Sequence, residues 1–446
     1  MMNVITHLPA PSAAPLYKRF RSARGEHLLV VPHSRLFDLP PEVAADLDLR
    51  PEEAQRLASA LGETAPGEAP LDLVVEPQPQ SLSLNVSSAC NLACSYCYAD
   101  KGAFGGKQAD RMKHATAIAA VDRLLTVADP ERPITIGFIG GEPLLNRALI
   151  HSVVLYAGRA GNDRGLDVRF SITTNGTTLL PADIDLFRTH PFAVTVSIDG
   201  DAATQDAQRP DTRGRGTFAR LVERLAPLLA EPGRAQVAAR LTVTAGALDL
   251  ATRLSAVYAL GFSEAGVAPL RTAKDNANID GDGWQAYLDE LIAVARSELA
   301  GARSGRTIRL TNLAVALKQI HAGASSPYPC GAGGGYFSVA ADGHWYACHR
   351  AIGEDDFILS NSEGLDSHRR RRFLTARHVH AQKPCNTCWA RYLCSGSCHQ
   401  EAATRTEAGC DFIRGWLTFC LAAYCELATE RPDYFVASYP IRGIQP

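Results

Sequence analysis

Cys90, Cys94 and Cys97 stand in a C-x3-C-x2-C spacing, with Tyr96 just before the third cysteine. Three thiolates on one short loop can converge on a single soft metal centre. In a tetrahedral or cubane site they leave one coordination position open. An open position suits a site that binds a substrate or cofactor rather than one that only ties a fold together. The loop therefore reads as the ligand loop of a 4Fe–4S cluster whose fourth iron takes an outside ligand. A second field of cysteines follows late in the chain: Cys330, Cys348, then Cys385-x2-Cys388-x5-Cys394-x3-Cys398, with Cys410, Cys420 and Cys425 after it. So dense a run points to metal rather than to buried structural thiols. On spacing alone, zinc is open beside iron–sulfur.

The elements that must position these groups are legible from pattern. An apolar alternation over 81–86 feeds the first cysteine loop as a strand. From 81 to about 300, strand-like segments at 134–139, 167–172, 193–198, 237–243 and 266–270 alternate with helix-like ones at 115–127, 145–159, 218–229 and 248–260. Such alternation argues for parallel βα units, in an open barrel or a doubly wound sheet, with functional groups at the C-terminal strand ends. The notable loops fall there. Gly140-Gly141-Glu142-Pro143 follows the second strand, Thr173-Thr174-Asn175-Gly176 the third and Ser197-Ile198-Asp199-Gly200 the fourth, with Arg240 near the end of the fifth. The glycines allow close backbone approach to a ligand. Glu142 can accept from an amino group, Thr174 and Asn175 offer neutral partners, Ser197 and Asp199 suit ribose hydroxyls, and Arg209 and Arg240 suit a carboxylate. An amino acid joined to a nucleoside fits this set, and S-adenosylmethionine is such a molecule. An iron–sulfur electron carrier would account for the late cysteines, but not for an incomplete three-cysteine loop ringed by ligand-binding strand ends.

The ordered set resembles the radical S-adenosylmethionine superfamily: C-x3-C-x2-C with Tyr96, then Gly-Gly-Glu-Pro, Thr-Asn-Gly and Ser-Ile-Asp-Gly. Arg209 and Gly214-x-Gly216-Thr217-Phe218 resemble the branch of anaerobic sulfatase-maturing enzymes and peptide maturases. That branch often has His-Asp where this chain has Gln205-Asp206, so any role of that histidine is absent. The resemblance implies a partial (β/α)6 TIM-like barrel over 81–300. It also implies that Tyr96 and Gly141 contact the cofactor through backbone, Ser197 the ribose and Arg209 the carboxylate.

The late cysteines, with Gly343-x4-Cys348, resemble the SPASM extension, expected over 330–430 after a bridging helix at 301–329. By that resemblance Cys330, Cys348 and Cys398 hold one auxiliary 4Fe–4S cluster, and Cys385, Cys388, Cys394 and Cys410 hold a second. Cys420 completes the first or leaves it with an open iron, and the helical texture of 416–427 leaves it open that Cys420 and Cys425 are ordinary buried thiols. The total is three 4Fe–4S clusters with S-adenosylmethionine. Sulfatase maturases carry an acid that serves as a base directly after the cysteine equivalent to Cys348. Here that residue is His349, which argues against sulfatase maturation, although histidine can itself be a base. Ala341-Asp342-Gly343 reads as a hairpin turn that brings Cys330 and Cys348 together. The run Arg369–Arg372 reads as a solvated helix face.

Ahead of the barrel, 1–16 is rich in Pro and Ala and reads as a loose leader. Residues 17–75 read as three short strands and two helices, each helix with Pro in its first turn. That small α+β unit resembles the recognition element in which a leader peptide adds a strand to a sheet edge. Residues 431–446 form a tail. The formal charge of −2, with 21% charged residues, gives no support for a nucleic-acid or membrane-surface partner. No apolar run reaches the roughly eighteen residues a membrane span needs. The N-terminus lacks the pattern of a signal peptide, so a cytoplasmic, reducing setting is expected for the twelve cysteines.

The resemblance implies an enzyme that cleaves S-adenosylmethionine with an electron from a donor such as flavodoxin or ferredoxin. The resulting 5′-deoxyadenosyl radical takes a hydrogen from an unactivated carbon of a peptide or small protein. Tyr98–Gly106 looks most like maturases that form Cys-to-carbon thioether bridges, among them those acting on the small subunit of quinohemoprotein amine dehydrogenase. Carbon–carbon cross-linking and formylglycine formation are the alternatives.

Overall fold

The computed structural model describes residues 6–63, 70–102, 111–270, 278–361 and 364–437. The chain divides into two compact units, each built from segments distant in sequence. One comprises Met1–Val75, Asp280–Cys330 and Leu374–Pro446, and the other Glu76–Ile279 and Gly331–Phe373.

The first unit opens with an antiparallel sheet of β1 (Tyr17–Ser22), β2 (Gly25–Val30) and β3 (Arg35–Leu39), followed by α1 (Pro41–Leu49) and α2 (Pro51–Leu61). Leu28, Val30, Leu39, Ala44, Leu47 and Ala54 form its core. The arm before β1 is held rather than loose. His7 pairs with Leu73 in an antiparallel bridge. Leu8 N–H donates to the Asp72 carbonyl at 2.7 Å, and Arg391 donates to the Pro15 carbonyl at 2.8 Å. Pro and Ala composition signals a lack of regular structure. It does not reveal a backbone that finds its partners elsewhere.

The second unit carries an eight-stranded sheet. β4 (Ser81–Ser87), β5 (Ile134–Gly140), β6 (Val168–Thr174), β7 (Phe192–Ser197), β8 (Gln236–Val243) and β9 (Ala265–Pro269) run parallel in sequence order. α3 (His114–Val127), α4 (Arg147–Asp163), α5 (Pro181–Thr189), α6 (Ala202–Gln208), α7 (Phe218–Ala230) and α8 (Leu250–Ala259) lie in the crossovers. This is the six-stranded βα architecture expected for 81–300. β10 (Tyr336–Val339) adds parallel to β4, and β11 (Trp345–Tyr346) pairs antiparallel with β10, so the expected hairpin lies in this sheet beside the strand that feeds the cysteine loop.

The register sorts side chains by face. Leu82, Ile136, Phe170 and Phe192 lie in line across neighbouring strands and are buried. Phe138, Phe170 and Phe192 stack at 5.4–6.5 Å between ring centroids. Burying each such ring stabilises by about 1.5–3 kcal/mol. The opposite face carries small or polar residues: Ser83, Gly137, Ser171, Thr195, Ser197, Arg240 and Thr242. A sheet with one face this short-chained leaves room on that side.

Two short strands, β12 (Ser360–Asn361) and β13 (Gly364–Leu365), precede α11 (Ser367–Arg377). Its arginine run is a solvated face only in part, with Arg372 exposed. Arg370 is buried and donates to the carbonyls of Gly333 and Gly334 at 3.0 and 2.9 Å and to that of Pro77. Arg371 pairs with Glu76. Four adjacent charges suggest solvent, but the Gly331–Gly335 bend presents carbonyls that need donors. In the first unit, α12 (Glu407–Glu430) packs on α9 (Gly283–Arg303), α10 (Thr311–His321) and β1, with Phe412 stacked on Tyr287 at 4.8 Å. The short α13 (Tyr434–Ala437) follows.

Candidate functional site

β4 ends in the cysteine loop, which neighbouring backbone grips from two sides. Gly141 N–H donates to the Ser87 carbonyl and Glu142 N–H to the Ala89 carbonyl, both at 2.8 Å. Across the loop, Ala93 N–H donates to Pro210 at 2.8 Å and Ser95 N–H to Gln208 at 3.1 Å, while Leu92 bridges Asp211. The close approach that Gly140 and Gly141 permit is to this loop. A Cβ on Gly140, at φ +154°, would stand 2.2 Å from the Ser87 carbonyl oxygen, and one on Gly141 would stand 2.5 Å from that of Ala89. Gly141→Ala is expected to displace the loop. A shift of about 1 Å costs roughly 100-fold in rate, which 5′-deoxyadenosine assays beside iron content would read.

Beneath the loop lies a buried polar network. Glu142 accepts from Leu144 N–H at 3.0 Å, Thr174 Oγ1 at 2.8 Å and Asn175 N–H at 2.8 Å. Burial pushes its carboxyl upward, and these three donors oppose the shift. Glu142 and Thr174 thus join the loops after β5 and β6 instead of offering an open acceptor, and Pro143 is buried beside them. Asn175 Nδ2 donates to Asn91 Oδ1 at 2.9 Å, and Asn91 donates in turn to Thr177. Asn91 and Thr177 carried no motif signal.

Asp199 departs most from expectation. It is wholly buried, with Oδ1 accepting from Thr242 N–H at 2.9 Å and Oδ2 from the Tyr96 hydroxyl. Its oxygens brace strands instead of meeting ribose. The Tyr96 hydroxyl also accepts from Arg209 Nη1 at 2.5 Å, so Asp199, Tyr96 and Arg209 form one buried chain into the cysteine loop. Gln205 fills the place of the missing histidine: its Oε1 accepts from Asp199 N–H at 2.9 Å, and its Nε2 approaches Thr217 Oγ1 at 3.4 Å. Arg253, which sequence reasoning passed over, donates to the carbonyls of Asp199, Ala247 and Thr242 at 2.5–2.7 Å. Asp206 accepts from Thr217 and Phe218 N–H at 2.6 and 2.7 Å, and Gly216 is needed because a Cβ there would meet that carboxylate at 2.4 Å.

The donor set suits a cluster. Burial pushes the Cys90 thiol up to about 12; Leu92 N–H opposes the shift, while Glu142, Cys94 and Cys97 add to it. Burial also raises Cys94, against the pull of Arg209. Neighbouring thiols that hinder each other's ionisation are relieved by a shared cation. Among the described residues no three His, Cys, Asp or Glu side chains are grouped to hold a single metal ion; a cubane gives each thiolate its own iron. Among the buried atoms without partners here are the donor Arg209 Nε and the acceptor Asn85 Oδ1. A carboxylate and an ammonium, both present in S-adenosylmethionine, would use them. Ser197 and Arg240 are register neighbours on the open face.

Cys348 ends the hairpin beside β4. His349 Nδ1 lies 2.7 Å from the Tyr336 hydroxyl, which donates to Ser83 Oγ at 3.0 Å. Burial, with Arg350, lowers His349 to about 4. Tyr98 is acted on by both Cys97 and Cys348 and stacks under Arg350 at 5.3 Å, with 48% of its surface open. In the other unit Cys385, Cys388, Cys394 and Cys410 act on one another. Cys330, which is exposed, and Cys398 belong to that unit too. Cys420 is buried within α12, and burial raises its thiol.

A model of the radical SAM superfamily matches residues 84–231. A serine-type anaerobic sulfatase-maturating enzyme of Klebsiella aerogenes is 26% identical over 337 residues, spanning 71% of this chain and 79% of that protein. A cysteine-type counterpart from Clostridium novyi is 31% identical over 153 residues, 32% of this chain and 39% of that one. In fold, the chain is similar to anSMEcpe with bound AdoMet, with a TM-score of 0.69 at 18% identity, covering 81% of this chain and 98% of that one. It is also similar to Streptococcus suis SuiB bound to precursor peptide SuiA, with a TM-score of 0.50 at 12% identity, covering 91% and 98%. Among the described residues no helix is long and apolar enough to cross a membrane. Residues 84–231 are a radical SAM domain, and the chain is an enzyme that carries it.

Proposed function

We propose that this enzyme modifies a peptide or small protein, removing a hydrogen from a substrate carbon and closing a Cys-to-carbon thioether. The observation that carries this reading is Tyr98, the residue after Cys97, which is half exposed and packs its ring against Arg350, two residues after Cys348. A substrate carbon presented there would lie close to the S-adenosylmethionine loop and to an auxiliary-cluster cysteine together. The short-chained open face of the sheet suits a polypeptide guest. Relatives named for maturing sulfatases, and a fold neighbour bound to a precursor peptide, add support.

When bound, a 4Fe–4S cluster and S-adenosylmethionine supply the 5′-deoxyadenosyl radical. The chain's own groups bind and orient. Cys90, Cys94 and Cys97 hold the cluster, Arg209 Nε and Asn85 Oδ1 take the carboxylate and ammonium, and Ser197 and Arg240 line the nucleoside side. Auxiliary clusters on the later cysteines, an electron donor such as flavodoxin or ferredoxin, and a substrate leader held by the 17–75 unit complete the proposal.

Formylglycine formation is the second reading, favoured by the sulfatase-maturating relatives. His349 in place of an acid weighs against it. Anaerobic reaction with candidate peptides encoded nearby, followed by alkylation and mass spectrometry, separates the readings. A thioether predicts loss of two hydrogens with the cysteine blocked to alkylation. The same loss with every cysteine still alkylated would give a carbon–carbon link. Conversion of a serine or cysteine to an aldehyde would give formylglycine.

A further inference from the structure

Two arginines that the reading above leaves unused stand beside the Cys385 group. Arg405 donates from Nη1 to Cys385 Sγ at 3.0 Å. Its other terminal nitrogen reaches Gln382 Oε1 at 3.1 Å and the Gly396 carbonyl. Arg414, one helical turn after Cys410 on α12, donates to Asp411 at 2.5 Å and is close enough to Cys388 to interact with it electrostatically. Both guanidiniums act on Cys410, while Asp411 acts against them. The fourth sulfur has a different kind of donor. Ser395, Gly396 and Ser397 run consecutively at φ +55°, +87° and +62°, so that the amides of Gly396 and Ser397 turn toward Cys394, that of Ser397 donating to the Cys394 carbonyl at 3.1 Å and both opposing the upward shift of its thiol. Serine is rarely left-handed, and such backbone persists where its surroundings over-determine it. Successive amides turned to one side make a cradle for anionic sulfur.

We propose that Arg405 and Arg414 raise the reduction potential of a 4Fe–4S cluster held by Cys385, Cys388, Cys394 and Cys410, and so bias it toward accepting an electron. The proposal rests on the reading of these cysteines as cluster ligands. Reduction adds a negative charge to a centre already surrounded by thiolates. A fixed cation in contact with a ligand sulfur lowers the free energy of that added charge, and hydrogen bonds to the sulfurs act in the same direction. The Cys394 amides assist without net charge, so the two guanidiniums are the removable part. Arg414 is the cleaner probe, because Arg405 also holds Gln382 and Gly396.

The test is an EPR-monitored redox titration of the anaerobically reconstituted full chain. The signal of this cluster is identified as the one lost in Cys388→Ala. Arg414→Gln should keep its iron and make reduction about tenfold less favourable, a shift of about 59 mV downward for a one-electron couple. Arg405→Gln should move the potential the same way, and if it sheds iron instead, Arg414→Gln decides. An unchanged potential in Arg414→Gln overturns the proposal. So does loss of this cluster's iron in that variant, which would make Arg414 a scaffold for assembly. If Cys388→Ala removes neither iron nor signal, the ligand reading itself has failed, an outcome distinct from the other two.

Discussion

Cys97→Ala is expected to abolish 5′-deoxyadenosine formation and to remove about four iron atoms per chain. Two thiolates would then remain on a loop whose backbone is already committed to Gly141, Glu142, Pro210 and Gln208. That loop cannot move to recruit another ligand. The nearest side chains, Glu142 and Asn175, are consumed in the network below it. Cys420→Ala provides the contrast. It should leave iron content unchanged and cost only packing, about 1 kcal/mol, because Cys420 sits sealed in α12. Iron and sulfide assays beside product analysis check both. Activity surviving in Cys97→Ala would overturn the assignment of the loop.

Asp199→Ala should lower the unfolding free energy by about 3–5 kcal/mol, the usual effect of removing one partner from a buried charged cluster. The carboxylate neutralises Arg209 through Tyr96 and ties β8 through Thr242 N–H. Without it the guanidinium is left buried against a hydroxyl, and burial disfavours it without the carboxylate's compensation. Asp199→Asn keeps the shape and should fall between the two. Urea unfolding of the cluster-loaded enzyme measures the effect. A loss below about 1 kcal/mol would mean that the carboxylate is solvated and free for a ligand.

Much of this was legible because βα alternation is local. The strands at 134–139, 167–172, 193–198 and 237–243 and their loops lie where the hydrophobic period places them. Roles that depend on distant partners were not legible. Asp199 looks like a ribose ligand until Tyr96, far away in sequence, is brought onto it. Gln205 looks like a lost histidine until its amide is found holding Asp199 N–H. Arg253 belongs to no motif, and its three carbonyl partners come from the loop after β7, from β8 and from the loop after β8. The pairing of β10 with β4 joins segments about 250 residues apart, beyond any periodicity. Arg370 shows the reverse error, since local charge density suggested solvent where a glycine-rich bend required donors. Part of the stretch after Cys97 that points to thioether chemistry, residues 103–106, lies outside the described residues.

The most direct test of the central claim follows the hydrogen. A uniformly deuterated peptide substrate is turned over anaerobically with S-adenosylmethionine and reductant, and the recovered 5′-deoxyadenosine is weighed by mass spectrometry. A radical SAM peptide maturase predicts 5′-deoxyadenosine heavier by one deuterium in step with peptide conversion. Converted peptide accompanied by unlabelled 5′-deoxyadenosine would contradict the account.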